Sequence, residues 1–146
     1  MRLFNENNSK EITEFVISND SQFVPNLSSR VDLVQYVKKI MENGLWVGEK
    51  DNETIYSLLG GYINEDFAYI SYLCVDISHQ KKGLATILMN EFVDICKRKG
   101  IKRINLTVRE VSGAYKLYQS LSFKPVKQFK YKDSSIVGVE MTREVS

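Results

Sequence analysis

Residues 67–100 constrain this chain more than any other stretch. Ala68-Tyr69-Ile70-Ser71-Tyr72-Leu73-Cys74-Val75 is almost wholly apolar and rich in aromatic and branched residues, the pattern of a strand covered on both faces. It leads through Asp76-Ile77-Ser78-His79 into Gln80-Lys81-Lys82-Gly83-Leu84-Ala85. Leu84, Ile87, Leu88, Phe92, Ile95 and Cys96 then recur on one helical face. Lys97, Arg98 and Lys99 suit the negative end of that helix, and Gly100 caps it. A buried strand running straight into an amphipathic helix demands a mixed α/β layer, with helices packed on a central sheet.

The flanking residues extend that sheet. Asn8 with Glu11 reads as a capping box, and Ile12, Phe15 and Val16 follow at helical spacing. Phe23 to Ser28, containing Pro25, reads as a loop. Ser29 and Asp32 open a second helix with the stripe Leu33, Val34, Val37, Ile40 and Met41, ended by Gly44 as a C-cap. Strands are expected at 45–49, 54–63 and 67–75, with a turn at Asp51-Asn52-Glu53 and a hairpin turn at Asn64-Glu65-Asp66. A strand at 104–108 precedes a helix capped by Ser112, with Ala114, Leu117, Tyr118 and Leu121 on one side. Strands at 123–131 and 136–142 close the chain.

Length and charge bound the function. The 146 residues fit a single domain, 1–146, without an internal repeat, linker or low-complexity tract. A formal charge of +2 is too small to imply nucleic acid or an anionic membrane as a partner. No apolar run is long enough for a signal peptide or a membrane span, so a cytoplasmic location is expected. Cys74 and Cys96 sit in apolar runs without a ligand spacing; they read as buried reduced thiols, and no metal site is expected.

The turn at 80–86 carries the chemistry. The first N–H groups of a helix have no internal partner and carry about half a positive charge between them. Gly83 lets an anion approach the backbone, Ala85 keeps the helix start narrow, and Lys81 and Lys82 add charge. A pyrophosphate is the expected guest. Taken alone, the segment reads better as an ordinary solvated basic turn before an ordinary helix, and it lacks the Walker A pattern.

Leu73-Cys74-Val75, four residues, then Gln-x-x-Gly-x-Ala resembles the acetyl-CoA motif of the GNAT N-acetyltransferase superfamily, Gln/Arg-x-x-Gly-x-Gly/Ala. Ala114-Tyr115-Lys116-Leu117-Tyr118-Gln119-Ser120-Leu121-Ser122-Phe123 resembles its second motif, Ala-x-x-Leu-Tyr-x-x-x-Gly-Phe, at the right separation. The element order is similar across nearly the whole chain. Two departures stand out: Val111 occupies a position where many members carry Asn, and Ser122 replaces the Gly of Gly-Phe.

The resemblance implies a mostly antiparallel, mixed sheet of six to seven strands with about four helices, splayed between the fourth and fifth strands near Thr107 and Val108. It implies an acetyl-CoA-dependent N-acetyltransferase with acetyl-CoA as co-substrate. The pyrophosphate would rest on the N–H groups of Lys81, Lys82, Gly83, Leu84, Ala85 and Thr86 beside Gln80, and the pantetheine along Leu73, Cys74 and Val75. Ser112 and Tyr115 would complete the cofactor contacts. An amine would attack the thioester directly, with the N–H of Leu73 or Cys74 receiving the developing oxyanion. The resemblance assigns Tyr118 as the acid for the departing thiolate, although the same residue fits the apolar helix face.

No residue stands out as the base: Glu65, Asp66, Glu110 and His79 are candidates beside a water relay. Phe23, Trp46, Tyr62 and Tyr72 are candidates to line the acceptor pocket, with the Phe23–Ser29 loop. The acceptor itself is a primary amine of unassigned identity. The other readings are a non-catalytic acetyl-CoA-binding regulatory module, a Cys74–His79 hydrolase, and a nucleic-acid binder; the last two are opposed by the apolar setting of Cys74 and the near-neutral charge. The final strands could pair across a homodimer.

Overall fold

The computed structural model describes residues 2–52, 54–131 and 135–145; Glu53, part of the expected turn after Asp51, lies outside them. In chain order the elements are β1 (Arg2–Leu3), α1 (Ser9–Ser18), α2 (Leu33–Asn43), β2 (Gly44–Asp51), β3 (Thr54–Ile63), β4 (Phe67–Val75), α3 (Leu84–Arg98), β5 (Arg103–Arg109), α4 (Gly113–Ser120), β6 (Lys124–Lys130) and β7 (Val137–Glu144). The strands form one seven-stranded sheet in the order β1-β2-β3-β4-β5-β7-β6. Every pairing is antiparallel except β4 with β5. That parallel pair needs a crossover, and α3 supplies it.

Helix boundaries follow local chemistry, with three differences from the sequence expectation, one being that Ser29 lies in a separate short turn, Leu27–Ser29, and does not open α2. Asn8 does not cap α1 with its side chain. A short 3-10 turn at Glu6–Asn8 precedes it, and the reciprocal capping box joins Asn5 and Asn8. Asp32 caps α2, accepting from the Gln35 N–H at 3.1 Å. Gly44 ends α2 in extended backbone, with φ −165°, not as a left-handed cap. It is needed for a different reason: a Cβ there would lie 1.9 Å from the Gly61 carbonyl oxygen on the paired strand. Gly100 does adopt the left-handed conformation, φ 76°, and the Ile101 N–H bonds to the Cys96 carbonyl at 3.0 Å.

Two apolar clusters lie on opposite faces of the sheet. Ile12, Phe15 and Val16 of α1 and Val37 and Ile40 of α2 pack with Trp46, Leu58, Tyr72 and Cys74. Leu88, Met89, Phe92, Val93 and Cys96 of α3 and Tyr118 of α4 pack with Val47, Leu59, Ile70 and Leu106. Ile87 and Val34, expected on the buried stripes, are exposed.

Gly60 and Gly61 sit at a register shift between β3 and β4, where Gly60 pairs with Tyr72 and Gly61 with Ile70. Ser71 is the extra residue on β4. A bulge of this kind turns consecutive side chains toward new faces, which is why Ile70 joins one cluster and Tyr72 the other. β4 is therefore not covered evenly, as its composition implied: Ala68, Ile70, Tyr72 and Cys74 are buried while Tyr69, Ser71, Leu73 and Val75 are half-buried. The half-buried set marks an opening.

Candidate active site

That opening is the splay of β4 from β5. Their pairing covers only Phe67 to Ile70 against Arg103 to Leu106. Beyond it, Ser71 to Val75 and Thr107 to Arg109 diverge, so β4 keeps an unpaired edge there. Tyr69 Oη and Thr107 Oγ1, 3.0 Å apart, hold the apex. The Val75 carbonyl faces away from β3, because it accepts from Gln22 Nε2 at 3.3 Å and Gln80 Nε2 at 3.0 Å. Strand direction alternates with a period of two, so the Leu73 N–H points the same way, into the gap. The adjacent Cys74 N–H points toward β3.

At the far end of the opening, Lys81 (φ 66°) and Gly83 (φ 75°) are both left-handed. Such a turn aims successive N–H groups at one concavity. Helix α3 starts at Leu84 without a side-chain cap, and its first internal bond runs from the Ile87 N–H to the Gly83 carbonyl at 3.1 Å. The amides of Leu84, Ala85 and Thr86 are thus left for an outside acceptor. A Cβ on Gly83 would meet no protein atom within 4 Å. The space in front of the turn is open, and an anion fits it. Gln80 does not face that space; its side chain bonds to Gln22 (2.8 Å) and to Val75, tying the turn to the strand end.

The turn and the splay belong to one cleft of about 820 Å³. It brings together Leu73, Cys74, Val75, Gln80, Lys81, Gly83, Leu84, Ala85, Thr86, Ser112 and Tyr118. Lys82 and Tyr115, also expected to touch the cofactor, are not among its lining residues. Ser112 caps α4, accepting from the Tyr115 N–H at 3.2 Å, so part of its hydroxyl chemistry serves the helix.

Tyr118 lines the wall of the cleft and is 7% exposed. Its hydroxyl hydrogen-bonds to no group among the described residues, and burial raises its pKa well above the ordinary phenol value. Cys74 is buried, and desolvation pushes its thiol up to about 12. A thiol so protonated is a poor nucleophile. His79 stacks on Tyr56, with centroids 4.3 Å apart, and its Nδ1 lies 2.9 Å from Ser78 Oγ; no Cys–His pair forms.

Of the aromatic residues expected in the pocket, Phe23 and Tyr72 line it. Trp46 does not: it is fully buried, its Nε1 donates to the Val37 carbonyl at 3.2 Å, and its ring lies over Gly60. Tyr62 packs at the edge of the same cluster instead. Among the candidate bases, Glu65 and Asp66 lie in the hairpin before Phe67, at the opposite end of β4 from the splay. Glu110 accepts from Gln128 on the exposed surface. No Asp or Glu lines the cleft among the described residues. Tyr36, Arg30, Arg109 and Tyr131, which sequence reasoning did not select, do line it.

Comparisons with known proteins agree with this architecture. The profile of the family described as "Acetyltransferase (GNAT) family" matches residues 14–123. An aminoglycoside 6'-N-acetyltransferase complexed with coenzyme A superposes with a TM-score of 0.82 at 14% identity, covering 99% of this chain and 96% of that one. The ribosomal-protein-S18-alanine N-acetyltransferase from Escherichia coli gives 0.82 at 17% identity, over 99% and 92% of the two chains. A GNAT family acetyltransferase from Elizabethkingia anophelis with acetyl-CoA bound gives 0.65 at 18% identity, over 75% and 82%. No curated protein sequence matches the chain.

Proposed function

Because the chain belongs to the acetyltransferase (GNAT) family, whose members use acetyl-CoA, we propose that it is an N-acetyltransferase whose acceptor is a primary amine. The observation that carries this reading is the continuity of one cleft. It runs from the unpartnered amides of residues 84–86, past the free edge of β4, to the wall formed by Tyr118.

When bound, acetyl-CoA supplies an acyl group activated as a thioester. The residues of this chain then have separable roles. The amides of Gly83 to Thr86, with Lys81, hold the diphosphate. The edge of β4 from Leu73 to Val75 orients the pantetheine arm by strand-like pairing, and Gln80 with Gln22 fixes where that edge ends. The Leu73 N–H donates to negative charge that develops on an oxygen in the gap. Leu106, Val108 and Leu117 give the gap apolar walls that keep water out. Tyr118 Oη, in the wall of the cleft, holds its proton throughout the neutral range as any phenol does and is the acid for the leaving sulfur.

The amine must lose its own proton. No carboxylate lines the cleft among the described residues, and His79, which does line it, is stacked on Tyr56 with its Nδ1 against Ser78 Oγ; that proton therefore leaves through water, and turnover depends on the neutral fraction of the amine. The test is direct. Purified protein is mixed with acetyl-CoA and a panel of primary amines, and release of the free thiol is followed together with the acetylated product. Thiol release that requires the amine supports the reading. Stabilisation by coenzyme A without transfer to any amine would reduce it to a binding module.

A further inference from the structure

The acceptor half of the cleft has a one-sided charge. Arg30 follows the short turn Leu27–Ser29 on one rim, and Arg109 ends β5 on the other. Both line the cleft together with Tyr131, and the Arg30 guanidinium carbon lies 5.4 Å from the centre of the Tyr131 ring. Among the described residues neither arginine is ion-paired, and no Asp or Glu lines any part of the cleft. Phe23, Tyr36, Tyr69 and Tyr72 line the same cleft, Tyr69 at the apex of the splay, with Phe23 and Tyr72 packed at 5.2 Å. Arg109 is two residues beyond Thr107, about 7 Å along the strand from the apex. An anion on the arginines would therefore be separated from the reacting amine by an apolar body.

We propose that the acceptor is a small primary amine with an apolar or aromatic body and, at its other end, an anionic oxygen group, a carboxylate or a phosphate, held by Arg30 and Arg109. This rests on the N-acetyltransferase reading above and deepens it. Guanidinium groups bind carboxylate and phosphate as planar forks. A polycationic amine meets the opposite environment: it gains no carboxylate and faces two like charges.

Three probes differing in one substituent separate these cases: para-(aminomethyl)benzoate, benzylamine and para-xylylenediamine, with para-(aminomethyl)phenyl phosphate as the phosphate arm. kcat/KM should be highest for the anionic amines, about tenfold or more above benzylamine, with the diamine lowest. Whichever anionic amine is preferred identifies the group. In Arg30→Gln and Arg109→Gln the ratio of anionic to neutral kcat/KM should fall about tenfold, mainly through KM. A diamine used as well as the benzoate, or variants that lower all probes equally, would overturn the assignment. If coenzyme A stabilises the fold but none of the probes is acetylated, the acceptor class is wrong while the family reading stands. If coenzyme A gives no stabilisation, the functional reading fails with it.

Discussion

The ring of Phe123 packs 5.9 Å from that of Tyr118, and the Phe123 N–H donates to the Tyr118 carbonyl at 3.0 Å. With the Ser122 N–H bonded to the Gln119 carbonyl at 3.2 Å, this is the double closure that ends a helix in a left-handed residue, including its apolar contact. Tyr118 is thus fixed by its backbone and its ring, and its hydroxyl takes no part in holding the fold. Removing that oxygen should cost little structure. Tyr118→Phe is expected to melt within about 1 kcal/mol of the parent and to bind coenzyme A nearly as well. Acetyl transfer should fall about a hundred- to ten-thousand-fold if the phenol is the acid. Steady-state rates beside calorimetric coenzyme A binding check both halves, and an unchanged rate would return Tyr118 to a packing role.

Ser122 sits at φ 74° in that closure, a conformation a side chain disfavours and glycine accepts. Ser122→Gly should therefore stabilise the protein by about 0.5–1 kcal/mol, after the entropy that glycine loses on folding. The melting temperature should rise by about 2–4 °C. Activity should be unchanged, since the serine side chain faces no described site residue. A lower melting temperature would show that the hydroxyl contributes more than the backbone costs.

Gly83 tests the anion cradle. Its φ of 75° disfavours any side chain, and a Cβ would project into open space, not into protein. Gly83→Val is expected to weaken coenzyme A at least about tenfold, by occupying the place of the diphosphate and shifting the Leu84–Thr86 amides. Dephospho-coenzyme A, which keeps the diphosphate, should lose affinity in the same proportion. Binding isotherms for both ligands provide the check, and equal affinity in parent and variant would place the nucleotide elsewhere.

Much of this site was legible in the sequence, for a local reason. The turn at 80–86 and the face of α3 are encoded within one contiguous stretch, by glycine, charge and a 3.6-residue period. Tyr118 and Ser112 were reached by motif and by capping chemistry at short range. The Ser71 bulge was not legible, because it exists only in the register between β4 and the Gly60-Gly61 pair on another strand. Arg30, Arg109 and Tyr131 were missed for the same reason. They come from three elements, and only the loop after α1 and the β5-β7-β6 pairing bring them to one rim. Trp46 shows the converse error: an aromatic residue announces burial, but its face is set by its partner strand.

That partner is Gly60, and its lack of a side chain has a stability consequence. A Cβ on Gly60 would lie 2.4 Å from the Trp46 ring, and one on Gly61 would lie 2.9 Å from both Phe92 and the Tyr69 carbonyl. Trp46 is pinned by its bond to Val37, so it cannot yield freely. Gly60→Ala should destabilise the fold by about 1–3 kcal/mol through overpacking. Chemical denaturation should show a lower midpoint at an unchanged slope, whereas a stability equal to the parent would mean that the core around Trp46 is looser than its burial indicates.

The buried acids set the alkaline limit of the fold. Burial raises Cys74 to about 12 and Cys96 to about 11, and it also raises Tyr36, Tyr72 and Tyr118 above their ordinary values. Each group keeps its proton in the folded state at a pH where the unfolded chain releases it, so folding binds protons in that range. The associated stability is complete below the unfolded thiol value of 9.0 and declines as the pH rises through the folded values near 11 and 12. Denaturation midpoints measured upward from pH 8 should therefore hold until about pH 9 and then fall. In Cys74→Ala the fall between pH 9 and 11 should be shallower than in the parent, although the variant starts from a lower midpoint because of its cavity. Thiol labelling gives a separate reading: at pH 8 neither cysteine should react in the folded protein, and both should react in denaturant. Rapid labelling of Cys74 in the folded protein would contradict the burial that also protects the proton on Tyr118.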